Sequence, residues 1–255
     1  MKDFKKKKTD WGKVANWYDE HLKESDNYHS QVILPNLMRL VNLRPGESLV
    51  ELGCGQGFFL EHFFKLSPNI AGVDLGPELI AIAKQNNPKI NYLVASADDA
   101  HIFPEDKFDV VTVVLALQNM KNLHAVTANI SRLLKPNGRA YIVLNHPAFR
   151  IPKQSDWQFD TRNFEQNRLI KKYMTELEIP IDMNPGNKTQ KEHTVSFHRP
   201  LQTYSKAFNK SGLAITKIEE WISHKKSEMG KRALAEDRAR KEFPMFMCLE
   251  LKKVA

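Results

Sequence analysis

Residues 48–74 constrain the fold of this chain more than any other stretch. Ser48-Leu49-Val50 is a short apolar run behind a Pro45-Gly46 turn, which predicts a buried strand. Glu51-Leu52-Gly53-Cys54-Gly55-Gln56-Gly57 follows, and then Phe58, Phe59, Leu60, Phe63 and Phe64 recur at helical spacing. Residues 69–74 predict a second strand that ends on the carboxylate of Asp74. Strand, glycine turn, helix and strand make a β-α-β unit. An acid about twenty residues after the first glycine gives it the layout of a nucleoside-binding site.

Two nucleoside cofactors compete for such a unit. A dinucleotide site wants G-x-G-x-x-G, because the pyrophosphate rests on the helix N-terminus and the third glycine lets helix and strand pack closely. Phe58 stands at that sixth position, and the spacing is G-x-G-x-G. Glu51, at the strand end, would oppose a pyrophosphate but suits the ammonium of a methionine moiety. The run resembles motif I of the class I S-adenosylmethionine (SAM) methyltransferases, with Asp74 at the place of their ribose-binding acid. A glycine turn in a doubly wound protein without a nucleoside is the alternative.

Further segments are similar to the type-11 methyltransferases, including those of quinone biosynthesis. Val14-Ala15-Asn16-Trp17-Tyr18-Asp19 looks like the segment that folds over the cofactor, which would put Tyr18 near the methionine end of SAM; the other reading of Tyr18 is a packed helix aromatic. Ser96-Ala97-Asp98-Asp99 resembles the segment in which a backbone N–H and a carboxylate read the adenine edge. Leu134-Lys135-Pro136-Asn137-Gly138 before a strand matches the family's post-motif segment. The resemblance implies SAM as cofactor. Glu51, Gly53, Cys54, Gly55 and Gly57 would hold the methionine portion, Asp74 the ribose, Ala97 and Asp98 the adenine, and Leu75 and Leu115 would add apolar contacts.

The resemblance, which extends to the two late strand candidates, implies a Rossmann-like class I methyltransferase fold: an α/β protein with a seven-stranded, mostly parallel sheet of order 3-2-1-4-5-7-6 and an insert after strand five. Within one domain over 1–255, residues 1–10 form a basic tail, 11–43 N-terminal helices over the cofactor, 44–145 the SAM-binding core, 146–203 a substrate-side insert, and 204–255 a closing helix and strand hairpin. Helices are expected over 11–22, 32–43, 78–84, 122–134, 164–177 and 201–210, and a polar helical stretch over 223–242. Strands are expected over 90–95, 108–115, 139–144, 213–221 and 244–252.

Composition narrows the function classes. Of the net charge of +8, half sits in residues 1–13, which hold six lysines against two aspartates, so nucleic-acid binding has only modest electrostatic support. Two cysteines, Cys54 and Cys248, make neither a disulfide framework nor a metal cluster, and a cytoplasmic setting is expected. No apolar run approaches the ~20 residues of a membrane span. No metal is expected.

For the chemistry, His146 follows the fifth strand on the ligand edge of the sheet, where a near-neutral pKa would suit a base. Its alternative is a structural histidine before Pro147. His198 with Arg199 could bind an anionic acceptor, or simply enter the helix at Leu201; Arg150 and His29 are weaker versions of that idea. Gln118-Asn119 occupies the place where amino-directed DNA methyltransferases carry Asn-Pro-Pro-Tyr. The leading expectation is therefore a SAM-dependent methyltransferase for a small molecule, attacked at oxygen, nitrogen or carbon, with Trp157, Phe159, Phe164 and Tyr173 in an insert that roofs a pocket. An RNA or protein methyltransferase is the second reading. A non-catalytic SAM-binding protein or an NAD-binding enzyme is the third.

Overall fold

The computed structural model describes residues 26–182 and 193–254. The expected tail, the helix over 11–22 and Tyr18 lie outside them. A seven-stranded sheet runs in the order β3-β2-β1-β4-β5-β11-β10, which is the order the sequence predicts. Its strands are β1 (Leu49–Leu52), β2 (Ile70–Asp74), β3 (Asn91–Val94), β4 (Phe108–Val114), β5 (Leu134–Asn145), β10 (Leu213–Trp221) and β11 (Phe246–Lys253). The first five are mutually parallel, and β11 and β10 close the sheet antiparallel. β4 and most of β5 are buried, as parallel strands covered on both faces must be.

Helices α1 (Leu34–Val41), α2 (Phe58–Phe64) and α3 (Pro77–Asn86) cover one face, with Leu37, Phe63, Leu60 and Ile80 packed on Val110, Tyr141 and Cys248. Helices α4 (Leu123–Leu133) and α5 (Leu201–Lys210) cover the other, where Ile130 and Phe208 meet Val111 and Leu249. α4 starts where the Asn122 side chain accepts the Ala125 N–H. The expected helix over 32–43 is shorter. A five-residue π-helical turn, His29–Ile33, precedes it, with the Leu34 N–H bonded five residues back to His29 O. Pro35 has no N–H for the ordinary bond to Gln31, which favours the wider turn there.

The insert departs most from expectation. Residues 164–177 are not a helix. Two hairpins form instead: β6 (Ser155–Asp160) with β7 (Glu165–Ile170), and β8 (Leu177–Asp182) with β9 (His193–His198). Asp160 accepts the N–H groups of Arg162 and Asn163, and Phe164 at φ 57° completes the turn. Across the strands Trp157 pairs with Arg168, whose guanidinium carbon lies 4.8 Å from the indole centre. Helix α6 (Ala233–Glu242) backs this hairpin through Phe243, 5.6 Å from Trp157. These tertiary pairs outweigh the helical spacing of Leu169, Ile170, Tyr173 and Met174. Only its last ten residues make the expected stretch over 223–242 helical.

Gly72 in β2 shows how tightly the central sheet is packed against α2. A Cβ there would stand 2.6 Å from Leu60 Cδ1 and 2.8 Å from both Cys54 Sγ and Tyr92 Cδ1. Gly72→Ala should cost about 1–3 kcal/mol of unfolding free energy, read by urea denaturation; an unchanged midpoint would show that this contact can relax.

Candidate functional site

A cavity of about 1700 Å³ opens at the carboxyl ends of β1, β2, β3, β4 and β5, the edge at which open α/β sheets hold ligands. One half is built on the glycine turn. Gly53 and Cys54 both donate to Val73 O, at 2.7 and 3.0 Å, so the turn after β1 is fastened to the end of β2. Gly53 has φ 76°, and a Cβ on it would stand 2.5 Å from the Cβ of Ala116, so both backbone and space demand glycine. Asp74 ties the far side: its Oδ2 accepts the Gly55 N–H at 2.9 Å and its Oδ1 the Gly76 N–H at 2.8 Å. Burial pushes the Asp74 carboxyl up, and the N–H groups of Gly76, Gly55 and Leu75 pull it back.

Glu51 lies at the base of this turn and is almost completely buried. Its Oε2 has no hydrogen-bond partner, and neither has the hydroxyl of Thr112, its register partner on β4. Burial, and next the Asp74 charge, hold the Glu51 carboxyl well above the usual range. An orphaned buried carboxyl beside a glycine turn is a place for a ligand cation.

Of the residues expected to bind the cofactor, Gly53, Gly55, Asp74, Leu75, Ala97, Asp98 and Leu115 line the cavity. Glu51, Cys54 and Gly57 sit behind its wall, Gly57 as the left-handed cap of α2. Burial, first of all, holds the Cys54 thiol far above its ordinary value. The Ser96 hydroxyl bonds the Asp98 carboxylate, and Asn129 of α4 holds this loop from below by donating to Ala97 O at 2.8 Å. Sequence reading missed Asn129. Its signal was a polar residue on the apolar face of a helix. It also missed the strain at Leu115, a non-glycine residue at φ 52°, where Gln118 Nε2 donates to its carbonyl at 2.9 Å.

The other half of the cavity lies under the two hairpins and beyond the end of β5, where Asn145, Arg150, Arg168, Glu178, Asp182 and Phe197 line it. His29 also reaches it and packs its ring near Phe58 and Phe59. Gln118 also lines the cavity, while its Oε1 is buried and has no hydrogen-bond donor.

Neither His146 nor His198 is on the cavity wall. His146 Nδ1 accepts the N–H groups of Ala148 and Phe149, which leaves the proton on Nε2, 2.6 Å from Glu220 Oε1. The ring thus holds the turn after β5. His198 Nε2 meets Tyr173 O at 2.8 Å and joins the loop between the hairpins to β9. Arg199 Nη2 donates to the carbonyls of Met120 and Lys121, both at 2.9 Å, and is occupied in bracing the loop after β4.

Residues 50–142 match the model of a methyltransferase domain family. The ubiquinone biosynthesis O-methyltransferase of Xanthomonas oryzae pv. oryzae is 29% identical over 101 residues, which cover 38% of this chain and 42% of that protein. The chain thus spans about two fifths of the length of the curated relatives it matches. An S-adenosylmethionine dependent methyltransferase from Mesorhizobium loti superposes with a TM-score of 0.67 at 26% identity, over 86% of this chain and 96% of that one. The Burkholderia thailandensis 1,6-didemethyltoxoflavin-N1-methyltransferase, solved with bound 1,6-didemethyltoxoflavin and S-adenosylhomocysteine, shares the fold at TM-score 0.54 and 13% identity, over 95% of this chain and 85% of that one.

Burial holds His146 below its ordinary value, while Glu220 pulls the other way; Glu220 is 52% exposed and hydrated, so burial prevails. A depressed histidine contributes stability above the unfolded value of about 6.5 that is lost as pH falls through the folded value. Unfolding free energy from urea titrations should therefore decrease with acidification, and by less in His146→Gln. Identical slopes for the two proteins would show that the folded ring titrates as it does in the unfolded chain.

Proposed function

We propose, from the premise that this chain carries a methyltransferase domain over residues 50–142 within a class I methyltransferase fold, that it moves a methyl group from SAM to a small-molecule acceptor at oxygen, nitrogen or carbon. The observation that carries the reading is the cavity itself. At about 1700 Å³ it exceeds the roughly 300–1,000 Å³ of a site for one small ligand, and it joins the glycine-turn half to a roofed second half. A roof made of two hairpins favours a compact acceptor over an extended polymer.

When bound, SAM supplies an electrophilic methyl on its sulfonium, so the hard chemistry is the cofactor's. The chain binds, orients and shields. Glu51 would take the ammonium of the methionine moiety, next to the backbone of Gly53 and Gly55. Asp74, already oriented by two backbone N–H groups, keeps free lone pairs for ribose hydroxyls. Asp98 and the backbone of Ala97 would take the adenine edge, with Leu75 and Leu115 against the apolar faces. On the acceptor side Gln118 lines the cavity and would contact the nucleophile there. Glu178 and Asp182 are the carboxylates on that wall able to take a proton from it. His146 and His198 act in this reading as positioning residues rather than as bases.

The matched Xanthomonas protein is by its name an O-methyltransferase of ubiquinone biosynthesis, which supports a small acceptor attacked at oxygen. The lysine-rich residues 1–13 favour the second reading, an RNA or protein substrate. Activity on cell extract that survives nuclease treatment and deletion of residues 1–10 would support the small molecule; loss under both treatments would support the polymer.

Two binding outcomes test the cofactor site. S-adenosylhomocysteine should bind with loss of a proton from Glu51, because the partner it gains favours the charged carboxylate. Affinity should accordingly rise with pH through the raised Glu51 titration, and calorimetry in buffers of different ionisation enthalpy should detect a proton release that Glu51→Gln abolishes. A release unchanged in Glu51→Gln would remove Glu51 from the ammonium. Asp74→Ala should weaken the same ligand by about 1.5–3 kcal/mol, the scale of hydrogen bonds to a charged group. Equal affinity in variant and parent would take Asp74 off the ribose.

A further inference from the structure

Arg150 stands alone among the arginines of the cavity. It follows the turn clamped by His146, its own N–H bonded to His146 O at 2.8 Å. Its guanidinium carbon lies 5.6 Å from the ring centre of Phe246, the β11 residue paired with Asn145 at the end of β5. The group is half-buried, lines the cavity, and has no hydrogen-bond or ion-pair partner among the described residues. Arg168, which also lines the cavity, is by contrast spent on the Phe149 carbonyl and the Ser155 hydroxyl, both at 2.7 Å.

The charge around Arg150 makes the vacancy of its donors more telling. Burial pulls it below the ordinary arginine value, the Tyr28 hydroxyl raises it and the Arg168 guanidinium lowers it, and no carboxylate acts on it. A half-buried guanidinium beside a second one, without a carboxylate, loses hydration and gains only the face of the Phe246 ring in exchange. Its planar fork matches an oxyanion in two parallel N–H···O bonds.

We infer that Arg150 anchors a carboxylate or phosphate group of the methyl acceptor, so that the substrate is a small anionic molecule held by its oxyanion at the β5 end of the cavity. This rests on the methyltransferase reading above, because it places the acceptor in the half of the cavity away from Asp74. The Phe246 ring sets the plane of the fork, and the His146 turn fixes where it begins. Neutral analogues of the acceptor would leave the guanidinium unpaired and would be rejected for that reason.

The test uses the full chain loaded with S-adenosylhomocysteine, titrated by calorimetry with benzoate, phenyl phosphate and benzamide. At least one of the two anions should bind at least about tenfold more tightly than benzamide, the effect of a charge-assisted fork. The anion preferred tells carboxylate from phosphate. Arg150→Met should abolish that preference, and Arg150→Lys should keep a weaker one, because an ammonium offers charge without the fork. Parent protein that binds all three probes alike, or none of them, would overturn the inference, as would a preference that survives in Arg150→Met. S-adenosylhomocysteine affinity is read in the same titrations and should be equal in parent and variants, which shows the fold intact. Its absence in the parent would instead sink the methyltransferase reading. If Arg150→Met does not fold, a preference in Arg150→Lys equal to that of the parent overturns the proposal.

Discussion

The site depends on how the end of β2 receives the turn that leaves β1. Val73 O takes two N–H groups of that turn, and the Asp74 carboxylate takes one from Gly55 and one from its own side at Gly76. Four backbone donors that would otherwise point at water are thus fixed by two consecutive residues. Fixing them brings the backbone of Gly53 against Ala116, so the first and fourth strands close on the same crevice. The remaining cavity walls are arranged around a floor whose geometry leaves almost no slack.

That floor was legible in the sequence because it is local. Glycines at φ values other residues avoid, an acid at the next strand end and an apolar strand before them are all written within residues 48–74. The sheet order was legible through the resemblance to the class I methyltransferases, which implies it once the strands are marked by their apolar runs. The insert was not. Leu169, Ile170, Tyr173 and Met174 fall at helical spacing by accident of a hairpin whose stability comes from Trp157, Arg168 and Phe243, residues distant in sequence from one another. Nor could spacing reveal that His146 has both ring nitrogens committed, because that rests on Glu220 in another strand. A histidine at the ligand edge is visible in a sequence; what occupies its nitrogens is not.

The two halves of the cavity differ in electrostatic character. Around the glycine turn Asp74 and Asp98 line the cavity, and Glu51 Oε2 and the Thr112 hydroxyl are among the buried atoms without a partner. Beyond β5 the cavity carries two guanidinium groups beside Glu178 and Asp182, and of these Arg150 has no hydrogen-bond or ion-pair partner among the described residues.

The pairing of Phe246 with Asn145 also bears on how the protein assembles. The glycine-turn half rests on contacts between neighbouring elements, β1 with β2 and β2 with β3, so it draws on near-sequence pairing. The wall beneath Arg150 requires β11, among the last residues of the chain, to dock between β5 and β10. Such long-range strand insertion comes late in folding. Loss of β11 would therefore take away the Phe246 support of Arg150 while leaving the turn after β1 its own pairing with β2.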